Sequence, residues 1–248
     1  GVRGPVPSMR RLWSLLFVAL QLGWLSGIAW GQTAVLGPIP VWTGPAGSTT
    51  SVALGDLDGD GDLDLVCGYD GEGNKVYLNE GGRFGNTPVW TGPLDLTTSV
   101  ALGDVDGDGD LDLVCGNRGE GSTLYLNEGG RFGTTPVWTG LDANTTSIAL
   151  GDVDGDGDLD LVCGNDGYFD REGPTLYLNR GGRFRTTPVW TGLSTNTTSV
   201  ALGDLDGDGD LDLVCGNGGL YYEGPTTYLN ERVRFGTTPV WTGTRDHT

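Results

Sequence analysis

The sequence predicts an all-β protein, a β-propeller of four-stranded antiparallel blades, on three observations. One segment recurs four times at near-constant spacing, each copy holds four short runs of strand-forming residues, and glycine-rich turns separate those runs. Ser51, Ser99, Ser147 and Ser199 open equivalent copies, 48, 48 and 52 residues apart. The units cover about residues 49–92, 97–140, 145–192 and 197–243.

In the first unit the runs 51–54, 63–67, 75–78 and 88–91 read as strands A to D. Each is rich in β-branched and aromatic residues and bounded by Gly, Asn or Asp. Asn79-Glu80-Gly81-Gly82 supplies the tight C to D turn, with glycine where φ must be positive. Four strands in about 48 residues is the size of a propeller blade, whereas a β-sandwich has no need of identical units. With 46 glycines in 248 residues, long helices are disfavoured. The Pro-Val-Trp-Thr-Gly run occurs five times, at Trp42, Trp90, Trp138, Trp190 and Trp241, against four copies of the rest. The mismatch predicts an incomplete ring, its missing blades lying beyond Thr248 or its closure achieved by oligomerisation.

Between strands A and B each unit carries a dense aspartate loop. The first contains Asp56, Asp58, Asp60, Asp62 and Asp64 in the pattern D-x-D-x-D-G-x-x-D. Carboxylates at positions 1, 3 and 5 point inward when the chain curls round an ion, and Gly61 at position 6 permits the curl. Asp62 at position 7 offers a backbone carbonyl, and Asp64 at position 9 closes the site. The equivalents are Asp104, Asp106, Asp108, Asp110 and Asp112; then Asp152, Asp154, Asp156, Asp158 and Asp160; and last Asp204, Asp206, Asp208, Asp210 and Asp212. Hard oxygen ligands in this number suit Ca²⁺, about four ions with one per repeat. Position 12 is Cys67 rather than glutamate and the flanks are strand-like, so the loop is not an EF-hand. About 40 residues separate successive loops, which excludes tandem nonapeptide rolls. As merely solvated turns, five carboxylates in nine residues would repel one another unrelieved. The eight positive charges of four Ca²⁺ would take the formal charge from −19 to −11. A pI near 4.1 with 14 lysines and arginines excludes a nucleic-acid surface.

Residues 1–8 precede the expected start at Met9, and residues 9–31 read as a signal peptide. Arg10 and Arg11 are followed by an apolar run and by Ala29 and Gly31, which place cleavage before Gln32. The expectation is a repeat domain over residues 32–248, secreted or at the cell surface, with no membrane span in the mature chain. Cys67, Cys115, Cys163 and Cys215 occupy one equivalent position, so they are read as buried free thiols rather than disulfide partners. The tryptophans are read as structural parts of the outer strand.

The aspartate loop followed by Leu-Asp-Leu-Val-Cys-Gly (Leu63 to Gly68), the Leu-Tyr-Leu-Asn run (Leu124 to Asn127) and Arg-Phe-Gly (Arg83 to Gly85) together resemble the FG-GAP/VCBS repeat family. That family is related to the N-terminal β-propeller of integrin α subunits, and the likeness covers about residues 40–243. It implies four-stranded blades, calcium in the A to B loops, and extracellular adhesion or ligand binding. Two departures stand out: Arg185 replaces a glycine, and Arg232-Val233 replaces Gly-Gly in the fourth C to D turn. A usual ring of the family has about seven blades.

Strand alternation places the aspartate loops and C to D turns on one face and the B to C and D to A loops on the other. The B to C loops are longer in units three and four, where they hold Tyr168, Phe169 and Arg171, and Tyr221 and Tyr222. Aromatic residues on such loops are candidates for binding an extracellular protein or glycan, or else pack over the blade edge. No catalytic constellation stands out, because the clustered carboxylates are duplicated fourfold; the chain is read as no enzyme. The expected function is an exported calcium-binding recognition or adhesion module. Its alternatives are the accessory region of a larger secreted hydrolase and a purely structural surface array.

Overall fold

The chain is described by a computed structural model over residues 40–167, 172–218, 224–232 and 235–243. The expected signal peptide therefore lies outside the described residues. Among the described residues, sixteen strands form four separate antiparallel sheets within the compact unit that starts at Trp42. The first sheet runs β1 (Thr49–Gly55), β2 (Asp64–Tyr69), β3 (Lys75–Tyr77), β4 (Trp90–Thr91). The second is β5 (Thr97–Gly103), β6 (Asp112–Asn117), β7 (Thr123–Tyr125), β8 (Trp138–Thr139). The third is β9 (Thr145–Gly151), β10 (Asp160–Asn165), β11 (Thr175–Tyr177), β12 (Trp190–Thr191). The fourth is β13 (Thr197–Gly203), β14 (Asp212–Asn217), β15 (Thr226–Tyr228), β16 (Trp241–Thr242). Each sheet is a blade whose strands neighbour one another in chain order. The fourth strands are shorter than the sequence suggests, because Val89 pairs with Val76 through only one backbone hydrogen bond before Trp90 enters the ladder.

The blades meet through their first strands, β1 against β5, β5 against β9 and β9 against β13. The core is accordingly a series of junctions between neighbouring blades. At the first junction Leu57, Val66, Val76 and Trp90 of one blade bury against Val100, Leu113, Cys115, Tyr125 and Phe132 of the next. Trp90 stands edge-on to Tyr125 at 5.2 Å and tilted to Phe132 at 5.6 Å, an arrangement that aromatic quadrupoles favour. The second and third junctions repeat it with Trp138 and Trp190. The four cysteines are buried free thiols at one repeated position.

One set of four hydrogen bonds recurs at all three junctions. In the middle one, Thr98 Oγ1 donates to the Thr145 carbonyl at 2.6 Å and the Ile148 amide donates to Ser99 Oγ at 3.3 Å. Trp138 Nε1 donates to the Arg185 carbonyl at 3.0 Å, and Asn179 Nδ2 donates to the Val105 carbonyl at 2.7 Å. The first strands carry a bulge at Thr50, Thr98, Thr146 and Thr198, where the register shifts. At each bulge the threonine hydroxyl donates to a carbonyl of its own blade's second strand, and at the first three positions it also reaches the next blade. Arg185 is tolerated in place of glycine because only its backbone is used in the junction. Arg232 instead sits at φ 79, where Gly81 has φ 65. A side chain there costs on the order of 1 kcal/mol.

Candidate metal centres

Each aspartate loop is a tight curl between the first two strands of its blade, held by its own carboxylates. In the first copy Asp56 Oδ1 accepts from the Gly59 amide at 2.8 Å and Oδ2 from the Gly61 amide at 3.0 Å. Gly61 and its equivalents Gly109, Gly157 and Gly209 lie at φ 92, 100, 97 and 96. A side chain at these positions would strain the curl, which is why glycine recurs there.

Position 9 is the anchor. Asp64, Asp112, Asp160 and Asp212 are fully buried. Asp64 Oδ2 accepts from the Leu57 amide and Oδ1 from the Asn79 amide, both at 2.8 Å. The other three repeat both bonds at 2.8 to 2.9 Å. One carboxylate thereby ties the start of the aspartate loop to the turn after the third strand. Burial raises the carboxyls of Asp64 and Asp112 above the usual range and pushes Asp160 up to about 6. Burial likewise raises Asp106 and Asp154. Such groups hold charge that the protein alone does not balance, and a bound cation reverses that.

Carboxylate oxygens of Asp56, Asp58 and Asp64 lie within 4.8 Å of one another. The same holds for Asp152, Asp154 and Asp160, for Asp204, Asp206 and Asp212, and in the second copy for Asp104, Asp106 and Asp108. Positions 1 and 3 thus converge in all four loops, with position 9 in three and position 5 in one. Asp60, Asp156 and Asp208 stand outside the close groups, and their Oδ1 atoms accept from the amides of Asp62, Asp158 and Asp210. At position 7 the carboxylates of Asp62, Asp110 and Asp158 turn away and accept from the amides of Gly81, Gly129 and Gly181 at 2.8 to 2.9 Å. The donor set fits a hard cation: it is all oxygen, and Asp154 Oδ1 is buried without a hydrogen-bond partner.

Two participants escape the sequence reading. Asn79, Asn127, Asn179 and Asn230 present the amides that hold the buried aspartates, and the last three reach the preceding blade's loop through Nδ2. Their signal was recurrence at one position, visible but without an assigned partner. Arg180, where the other units have glutamate, pairs with Asp154 at 3.1 Å and Asp156 at 2.9 Å. Among the described residues, the third loop is the one whose aspartates form such ion pairs. Of the partner-binding candidates, Tyr168, Phe169, Arg171, Tyr221 and Tyr222 all lie outside the described residues. The loops that lead to them are on the side away from the aspartate loops. There the Asp70 amide bonds the Ser48 carbonyl, and Gly71 that of Asp95.

Comparison with known proteins agrees with this geometry. The family model for the FG-GAP-like repeat matches residues 56–115, 104–163 and 153–215, more than half of the chain. No curated protein matches the chain. Among solved structures, the V. cholerae biofilm matrix protein Bap1 is similar with a TM-score of 0.50 at 19% identity, over 78% of this chain and 28% of that one. BBS1N, in its crystal structure in complex with ARL6DN soaked with lead, gives a TM-score of 0.50 at 16% identity, over 78% of this chain and 57% of that one. At these identities the likeness is one of fold, and the chain spans well under two thirds of either protein.

Proposed function

We propose that this chain, which belongs to the FG-GAP-like repeat family, is an exported recognition module whose blades are each held by one Ca²⁺, about four ions in all. The observation that carries the reading is the fourfold convergence of aspartate oxygens within 4.8 Å of one another. In the first loop Asp56, Asp58, Asp60 and Asp64 would hold the ion by carboxylate and Asp62 by its carbonyl, and the other loops follow the same scheme. The ion supplies positive charge and fixed coordination. The chain's own residues do the rest, since the buried ninth-position aspartate passes that order to the Asn turn and, in the last three blades, on to the neighbouring blade. The role is structural, and a repeat of this kind is typically non-catalytic.

Recognition of an extracellular protein or glycan is placed on the opposite side, at the long loops that hold Tyr168, Phe169, Arg171, Tyr221 and Tyr222. The support is that these loops alone change length between units, while every aspartate loop keeps all five of its aspartates. Export is supported by residues 9–31. Among the described residues no helix is long and apolar enough to cross a membrane.

Isothermal calorimetry of the chelated protein is expected to show about four Ca²⁺ sites, and excess EDTA to lower the thermal transition by more than about 10 °C. A transition unmoved by EDTA, or Mg²⁺ binding as strongly as Ca²⁺, overturns the metal assignment. Glycan and protein arrays probed with the native chain and with Tyr221→Ala/Tyr222→Ala test the recognition face; ligands retained in full by the double variant remove it.

A further inference from the structure

The two end faces of the blade series expose side chains whose equivalents are buried at the internal junctions. On the first blade, Val52, Leu54 and Leu63 are 60%, 58% and 55% exposed, whereas Val100, the equivalent of Val52, is 8% exposed. On the fourth blade, Leu205 and Trp241 are 53% and 54% exposed, whereas the equivalent Val105 and Trp138 are 1% and 8% exposed. These side chains are the same types, at the same positions, that bury one another at the three internal junctions.

The polar groups match as well. Trp241 Nε1, Thr198 Oγ1 and Ser199 Oγ on the fourth blade have no partner on a following blade among the described residues. On the first blade the Gly85 carbonyl, the Thr49 carbonyl and the Val52 amide occupy the positions that take those three bonds elsewhere. Asn79 Nδ2 reaches only its own blade, at the Leu63 carbonyl, where Asn179 and Asn230 each reach a preceding loop too. The single departure is Thr227 in place of Val76, Leu124 or Leu176, a residue with the outline of valine.

Trp42 occupies part of this slot. It packs edge-on to Tyr77 at 5.3 Å and to Phe84 at 5.4 Å, as Trp90 packs to Tyr125 and Phe132. Yet its Nε1 is buried without a hydrogen-bond partner, while Trp90, Trp138 and Trp190 all donate to a carbonyl. A single tryptophan also leaves Val52, Leu54 and Leu63 uncovered. It fills the aromatic place without supplying the rest of a blade.

We infer that a second copy of this chain covers these faces, the fourth blade of one copy docking head to tail on the first blade of the other, with Trp241 displacing the unsatisfied Trp42 from beside Tyr77 and Phe84. The contact is heterologous and repeats the rotation between neighbouring blades, so added blades continue the same turn. Two copies bring the count to eight, within the size range of closed propellers, and a dimer is the expected species. The inference does not depend on which metal the loops hold.

Sedimentation velocity of the full chain, in Ca²⁺ and at physiological salt to screen the acidic surfaces, is the test. Two variants accompany it, Leu54→Glu on the first face and Trp241→Glu on the fourth. Both residues are already solvent-exposed in a single chain, and an unchanged circular dichroism spectrum confirms each fold. The native chain is expected at twice the chain mass and each variant at the monomer mass. An equimolar mixture of the two, at raised concentration, is expected to recover a two-copy species through the one junction left intact. A monomeric native chain overturns the inference, as does assembly that survives either single variant or a mixture that stays monomeric.

Discussion

The junction between the second and third blades and the outer faces of the first and fourth are made from one repeated sequence, and they differ in what they bury. Trp138 lies between Tyr177 and Phe184 with its indole nitrogen satisfied, while Trp241, with the same neighbours in sequence, is half exposed. A side chain's energy here is set by whether a next blade stands beside it. Identical residues should therefore give unequal mutational effects, graded by position along the series.

The widest gap is expected at the tryptophans. Trp138→Ala leaves a cavity between two aromatic rings and should cost about 3–5 kcal/mol, against less than about 0.5 kcal/mol for Trp241→Ala. Urea unfolding of dilute monomer reads both, and equal losses would break the comparison. The glycines come next. A Cβ on Gly116 would lie 2.8 Å from Ile148 Cγ2 and 2.9 Å from Thr145 Cγ2, but on Gly216 the nearest atom is 3.6 Å away. Gly116→Ala should lose about 1–3 kcal/mol by overpacking and Gly216→Ala should be close to neutral in the same assay.

Smaller still is the contrast between asparagines. Asn179→Ala removes the bond to the preceding loop as well as the bond to Leu159, whereas Asn79→Ala removes only the bond to Leu63. The difference should be about 1 kcal/mol, and hydrogen exchange of the Val105 region should rise only in the first variant. Last, the thiols should differ in rate. Burial pushes Cys115 up to about 12 and Cys163 to about 11, and both lie inside junctions. Cys67, 6% exposed beneath Trp42, faces the open side. A thiol reagent followed by peptide mapping should label Cys67 first, and the other three only as fast as the chain opens. Uniform labelling would mean that the first face is as well covered as the interior.

Much of this was legible beforehand. Period, alternation and turn glycines located the four blades and their strands to within a residue or two, because those features are local. The aspartate spacing marked the loops for the same reason, since a curl over nine residues depends on nothing distant. The division of labour within the loop was not legible. Asp62 and Asp64 are two residues apart in one motif, yet one bonds the Gly81 amide at the surface and the other is fully buried under Leu57 and Asn79. Those partners are up to 19 residues away in sequence. Arg180 was equally silent, a single charge whose approach to Asp154 spans 26 residues.

The sequence by itself determined that this protein is a chain of four equivalent antiparallel blades, each closed by an oxygen-rich curl, because repetition and short-range turn chemistry leave little else for such a pattern to do. Only the tertiary structure decided what each equivalent residue is worth. A junction needs two blades, and its apolar faces and hydrogen bonds join residues that stand about one repeat or more apart, so burial follows from a residue's place in the series as much as from its identity.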